Sequence, residues 1–150
     1  MVAKGTVLGL LSGFLLGFIL KGMEKASSLK VYTLLLNIDF IPVIGDIRWP
    51  EWIEFLFHLI IAVIIGIIYW YGAQKINGWA KLLVFAFLLT FPVIFLYFPL
   101  SLIAIKEVPE PDNMTAFGLW SAAHFIYMFS LPVFYLLIQN IHRKKVRHSA

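Results

Sequence analysis

Lys21, Glu24, Glu51, Glu54, His58, Ser121 and His124 are the side chains best suited to chemistry here, because each is polar and lies within or beside a long apolar run. Glu51, Glu54 and His58 follow i, i+3, i+7 spacing, which places them on one helix face. Ser121 and His124 stand one turn apart farther along the chain, with Met128 a turn beyond. A carboxylate beside an imidazole could relay a proton, since imidazole titrates near neutrality and a neighbouring negative charge favours its charged form. Glu54, His58 and His124 could instead ligate a divalent metal, and His58 with His124 could hold haem iron from facing helices. Against these stands the blander role of a hydrogen-bonded cluster that fixes helix register, since ionisable groups inside spans usually face the bundle interior and pair with one another.

The motifs that would narrow this choice are missing. There is no H-E-x-x-H, no G-x-S-x-G and no phosphate-binding glycine loop. With no cysteine, disulfides, thiolate nucleophiles and Cys-ligated metal sites are excluded. A structural cluster therefore ranks first and proton or ion handling second. Metal, haem and catalysis on a lipid or envelope substrate follow, and the expected cofactor is none.

The elements that must position these residues are membrane spans. Hydrophobic residues make up 61% of the chain and charged residues 13%, against about 45–50% and about 25% in soluble domains. With aromatics at 17% and a mean hydropathy of +0.90, the chain has too little polar surface to cover a soluble core. The net charge of +4 does not point to nucleic acid, because the basic residues flank apolar runs instead of forming a basic face. A helix crossing the bilayer needs about 20 apolar residues. Segments 5–20, 53–71, 82–105 and 116–138 meet or approach that length, so the expected fold is an all-α, four-transmembrane-helix bundle in a single membrane domain.

The run from Val31 to Ile44 is too short to span and holds Asn37, Asp39 and Pro42, so it is expected to form a short interfacial or re-entrant segment between the first two spans. Ser27 and Ser28 are expected to cap a helix there, and Pro42 with Gly45 to end it. The first span has a signal-peptide look, but Lys21, Glu24 and Lys25 occupy the place of a small-residue cleavage site, so it is expected to be retained. Pro92, Pro99 and Pro132 are expected to bend their helices.

Gly5, Gly9, Gly13 and Gly17 recur every four residues, and Lys21 and Lys25 continue the spacing. In lipid, helix association depends on close packing, which such stripes permit. An intramolecular seam is the leading reading and a homo-oligomer through the stripe the second. Ala62 with Gly66, and Gly118 with Ala122, are candidates to face it.

Charge sets the orientation. The tail holds Arg143, Lys144, Lys145 and Arg147 with no acid, and such flanks stay cytoplasmic, so four spans put both termini inside. His142 and His148 lie in the same tail, where anionic lipids are the expected partners. The loop from Glu107 to Asp112, with Pro109 and Pro111, reads as an exposed acidic turn on the outer side. Trp49, Trp52 and Trp120 fall near the outer interface and Trp70 and Trp79 near the inner one, as an aromatic belt would. Lys21, Glu24, Glu54, His58 and His124 are then expected to form one outward-facing polar cluster serving envelope or proton homeostasis.

This layout resembles the YagU family of small bacterial inner-membrane proteins. The resemblance rests on a Gly-rich first helix ending in Lys21 and Glu24, and on a second helix with early His58 and later Gly66. It rests also on Phe91–Pro92 in the third helix, and on His124 and the basic exit from Arg143 to Arg147 in the fourth. It implies four spans in a bacterial plasma membrane and supplies no reaction. The stretch from Val31 to Trp49 departs from the family pattern.

Overall fold

A computed structural model describes residues 1–148 except 39, 40, 42 and 46, with side chains as far as residue 141. Asp39, Pro42 and the side chains of the basic tail, including His142 and His148, thus lie outside the described residues. The described chain is all helical: α1 (Val2–Ser27), α2 (Val31–Leu35), α3 (Glu51–Ala73), α4 (Trp79–Phe95), α5 (Tyr97–Ile103) and α6 (Met114–His148). α1, α3, α4 with α5, and α6 provide four helical stretches long and apolar enough to cross a membrane, as expected of a four-helix membrane bundle.

α1 extends beyond its apolar run, to 26 residues, or about 39 Å at 1.5 Å per residue. Its end is set by Ser28, which adopts the left-handed conformation (φ 61°) and donates its N–H to Glu24 O at 2.8 Å. Ser27 Oγ donates to Met23 O and accepts from Leu29 N–H. The two serines therefore close α1, a correction to their expected role in opening the next helix. That role falls to Glu24, whose carboxylate accepts the N–H groups of Tyr32 (2.7 Å) and Thr33 (2.8 Å) and the Thr33 hydroxyl (3.0 Å). These N–H groups would otherwise be orphans of the first turn, and the acid suits the positive end of the helix. α2 ends at Leu35, ahead of Pro42 and Gly45, so those residues do not terminate it. Val31 and Leu34 are fully buried, and α2 folds back onto the bundle.

The bundle is organised around α1, which packs chiefly against α3 and α6, while α4 packs on α6. α3 and α4 are consecutive in sequence yet touch little. The α1–α3 seam is drawn close by glycine. A Cβ added at Gly5 would stand 2.7 Å from Ile67 Cα, one at Gly9 2.6 Å from Val63 Cα, and one at Gly13 2.6 Å from Ala62 Cβ. Gly66 faces the Gly9 backbone, and Phe55 fills the space over Gly17. Within one chain, α3 thus covers the glycine face of α1. Gly118 and Ala122 do not face it: a Cβ at Gly118 meets nothing within 4 Å and both residues are exposed, because α6 turns Ala116, Trp120, Ala123 and Tyr127 inward instead.

α6 begins at an N-cap, Asn113, whose Oδ1 accepts Ala116 N–H at 3.0 Å. Pro132 sits inside α6 without ending it. The third span does break, between Phe95 and Tyr97. Pro99 has no N–H to give the Phe95 carbonyl one turn back, so the α-helical ladder cannot run through. Trp120 Nε1–H donates to Ile94 O at the break, at 3.0 Å. Trp120 is accordingly 1% exposed and Trp70, packed on Tyr135 at 4.9 Å, is 3% exposed, so neither is a belt residue as expected. Trp52 and Trp79 are exposed and free to take that place.

Candidate functional site

The expected polar cluster divides in two by depth: Lys21, Glu24, Glu51 and Glu54 line one pocket with Tyr32 and Thr33, and His58 and His124 lie apart from it. Lys21 Nζ donates to Glu51 Oε1 at 2.5 Å, and the Tyr32 hydroxyl donates to the same oxygen at 3.1 Å. Burial, with help from Glu51, pushes the Tyr32 phenol above its usual range. Glu24 caps α2, as described. Glu54, buried, pairs with Lys106 in the segment after α5. His58 and His124 form the second, deeper arrangement. No hydrogen bond joins Glu54 to His58 among the described residues, so their shared helix face is not a proton relay. Its three members reach different neighbours: Glu51 meets Lys21 of α1 and Tyr32 of α2, Glu54 meets Lys106 after α5, and His58 meets Gly13 O of α1.

Nor do Glu54, His58 and His124 form a metal centre: among the described residues no group of three or more potential ligands comes together. Ser121 does not join His124; its hydroxyl is buried without a hydrogen-bond partner. The acidic turn is tied down at both ends. Glu107 takes a hydrogen bond from Lys30 Nζ at 2.5 Å, which holds its carboxyl below the usual range. The Tyr97 hydroxyl lies 2.9 Å from Glu110 O.

His58 and His124 line a common cavity of ≈ 350 Å³, within the range of roughly 300–1,000 Å³ typical of small-molecule sites. They stand about 10 Å and about 15 Å beyond the starts of α3 and α6, well inside the membrane-spanning part. The cavity exists because α3 and α4 scarcely touch and because the third span bends at Leu96. Val93, Leu96 and Leu100 form its wall on that side, and Leu35, Asn37, Ile38 and Ile41 form its roof. The short segment after α1 is therefore part of the site. Asn37 secures the roof by donating Nδ2–H to Leu100 O at 3.2 Å. At the mouth, Ile60, Ile61 and Leu96 line the cavity yet are 49%, 56% and 47% exposed, so it opens sideways between α3 and the α4–α5 bend.

The two imidazoles are held by backbone carbonyls. His58 Nε2 lies 3.3 Å from Gly13 O, across the glycine seam, and His124 Nδ1 lies 2.8 Å from Trp120 O, one turn back. Trp120 also packs its ring, tilted by 38°, against the His124 ring at 4.3 Å between centroids. Because a carbonyl can only accept, each of these nitrogens carries its proton toward the backbone. The partner of His58 depends on Gly13 lacking a side chain, so packing stripe and site share a residue. Tyr127 and Trp120, which sequence reasoning did not single out for chemistry, complete the wall. Their only signal was helical phase: Trp120, His124 and Tyr127 recur at i, i+4, i+7.

Comparison with protein-family models, curated proteins and solved structures finds no match to this chain.

Proposed function

We propose that this chain is a non-enzymatic, multi-pass protein of a bacterial plasma membrane that binds a lipophilic molecule in the cavity between α3 and the α4–α5 bend. The observation that carries this reading is a laterally open, apolar cavity with two histidines at membrane depth. A ligand dissolved in the bilayer reaches such a mouth without crossing water, and the histidines give its polar group a place to sit. Proton or ion conduction through Glu54, His58 and His124 fits less well, because Glu54 faces Lys106 and the glycine seam beyond the histidines is closely packed.

The orientation with both termini in the cytoplasm, and the kinship with the YagU family, are part of the proposal. They are supported by the basic tail and by the residue correspondences. Reporters fused after Ala150 and between Glu107 and Asp112 should read opposite sides of the membrane; the same side for both would refute the orientation.

A photoactivatable long-chain alcohol tests the binding reading. In vesicles it should cross-link at Ile61 and Leu100, be displaced by excess unlabelled alcohol, and lose these sites in Val93→Phe, where the new ring occupies the cavity. Labelling spread evenly over lipid-facing residues such as Val84 and Leu88, and unchanged in Val93→Phe, would refute it.

A further inference from the structure

We infer that the cavity selects ligands whose polar group is an uncharged hydroxyl, a hydrogen-bond donor, over ligands that can only accept. The inference rests on the binding reading above and specifies its chemistry. His58 commits Nε2–H to Gly13 O, and His124 commits Nδ1–H to Trp120 O. In the neutral ring the second nitrogen carries a lone pair and no proton. Neither ring makes another hydrogen bond among the described residues, so each offers its remaining nitrogen as an acceptor. Among the described residues the lining holds no carboxylate, lysine or arginine, so a charged headgroup would meet no counter-charge from them, at high cost in an apolar cavity.

Two other side chains sharpen the match. Asn37 Nδ2 is already engaged with Leu100 O. Tyr127, 3% exposed, lines the same cavity and its hydroxyl is buried without a hydrogen-bond partner among the described residues. A hydroxyl both donates and accepts, so it can give its proton to an imidazole lone pair and still receive one from a phenol. A ketone, ester or ether oxygen could accept the Tyr127 proton but has none to give, so it would leave the imidazole lone pairs unsatisfied. Discrimination built on a buried hydrogen bond is sharper than discrimination built on apolar shape. A fatty alcohol and a hydroquinone share the required chemistry, and the cavity wall will prefer one body over the other.

The test is equilibrium binding to the full chain in nanodiscs, using hexadecanol against its methyl ether and tetramethylhydroquinone against its dimethyl ether. In whichever series binds, the hydroxyl compound should bind about tenfold more tightly, the effect of one well-made hydrogen bond; the series with the tighter hydroxyl member identifies the ligand body. His124→Leu should erase most of that ratio. His124→Gln, whose amide can donate to Trp120 O and still present an acceptor, should retain it, which separates hydrogen bonding from folding. Equal binding of hydroxyl and ether in the native chain would overturn the donor selectivity while leaving the cavity reading intact. Absence of saturable binding in both series would overturn the cavity reading itself, and the selectivity with it.

Discussion

Lys21 meets Glu51 with both side chains more than half exposed, whereas Lys106 meets a Glu54 side chain only 8% exposed. A screened surface pair contributes little, while removing one partner of a buried pair strands a charge. Lys106→Ala should therefore lower stability in detergent by about 3 kcal/mol, and Lys21→Ala by less than about 1 kcal/mol. Thermal unfolding of the two variants side by side measures the difference, and equal losses would mean that Glu54 finds other compensation. At this scale the sequence was only partly legible. The i, i+3, i+7 spacing of Glu51, Glu54 and His58 reads directly as one helix face. Their partners do not, because Lys106 arrives from beyond the third span, and Gly13 contributes a backbone oxygen that no residue type announces.

The four spans were the most legible features, since the lipid core demands apolar runs of known length. A short helix does follow α1, but the residues expected to open and to end it do neither. Ser27 and Ser28 look like an N-cap by type, yet the left-handed Ser28 and the reach of Glu24 make them the end of α1. The glycine spacing identified a close-packing face, and the fold puts Ala62 and Gly66 of α3 against it. Gly118 and Ala122 have similar spacing but fall on the exposed side of α6, because four-residue spacing alone says nothing about which face a neighbour takes. At Gly9 a side chain would collide with the Ala62 and Val63 backbone, which cannot yield. Gly9→Leu should cost about 2 kcal/mol or more by forcing the seam open, whereas Leu11→Ile, on the half-exposed side, should stay within about 0.5 kcal/mol. Comparable unfolding temperatures for the two would show that the α1–α3 approach is not what holds the helices together.

At the scale of the whole molecule, the cavity is a product of packing and of chain breaks together. α1 draws α3 to one side through its glycines, α6 draws α4 to the other, and Pro99 bends the third span away at the same depth. The space left between them is roofed by Leu35, Asn37, Ile38 and Ile41 and faced by histidines from α3 and α6. The similar depths of His58 and His124 were readable from span positions, but the gap they share depends on which helix pairs touch, and hydropathy carries no such information. Saturation binding of radiolabelled hexadecanol to the chain in nanodiscs, corrected with empty nanodiscs, tests this arrangement most directly. Bound ligand should level off at one per chain for the native protein and rise only linearly, as lipid partitioning does, for Val93→Phe. Superimposable linear curves for the two, with hexadecanol and with tetramethylhydroquinone alike, would contradict the site.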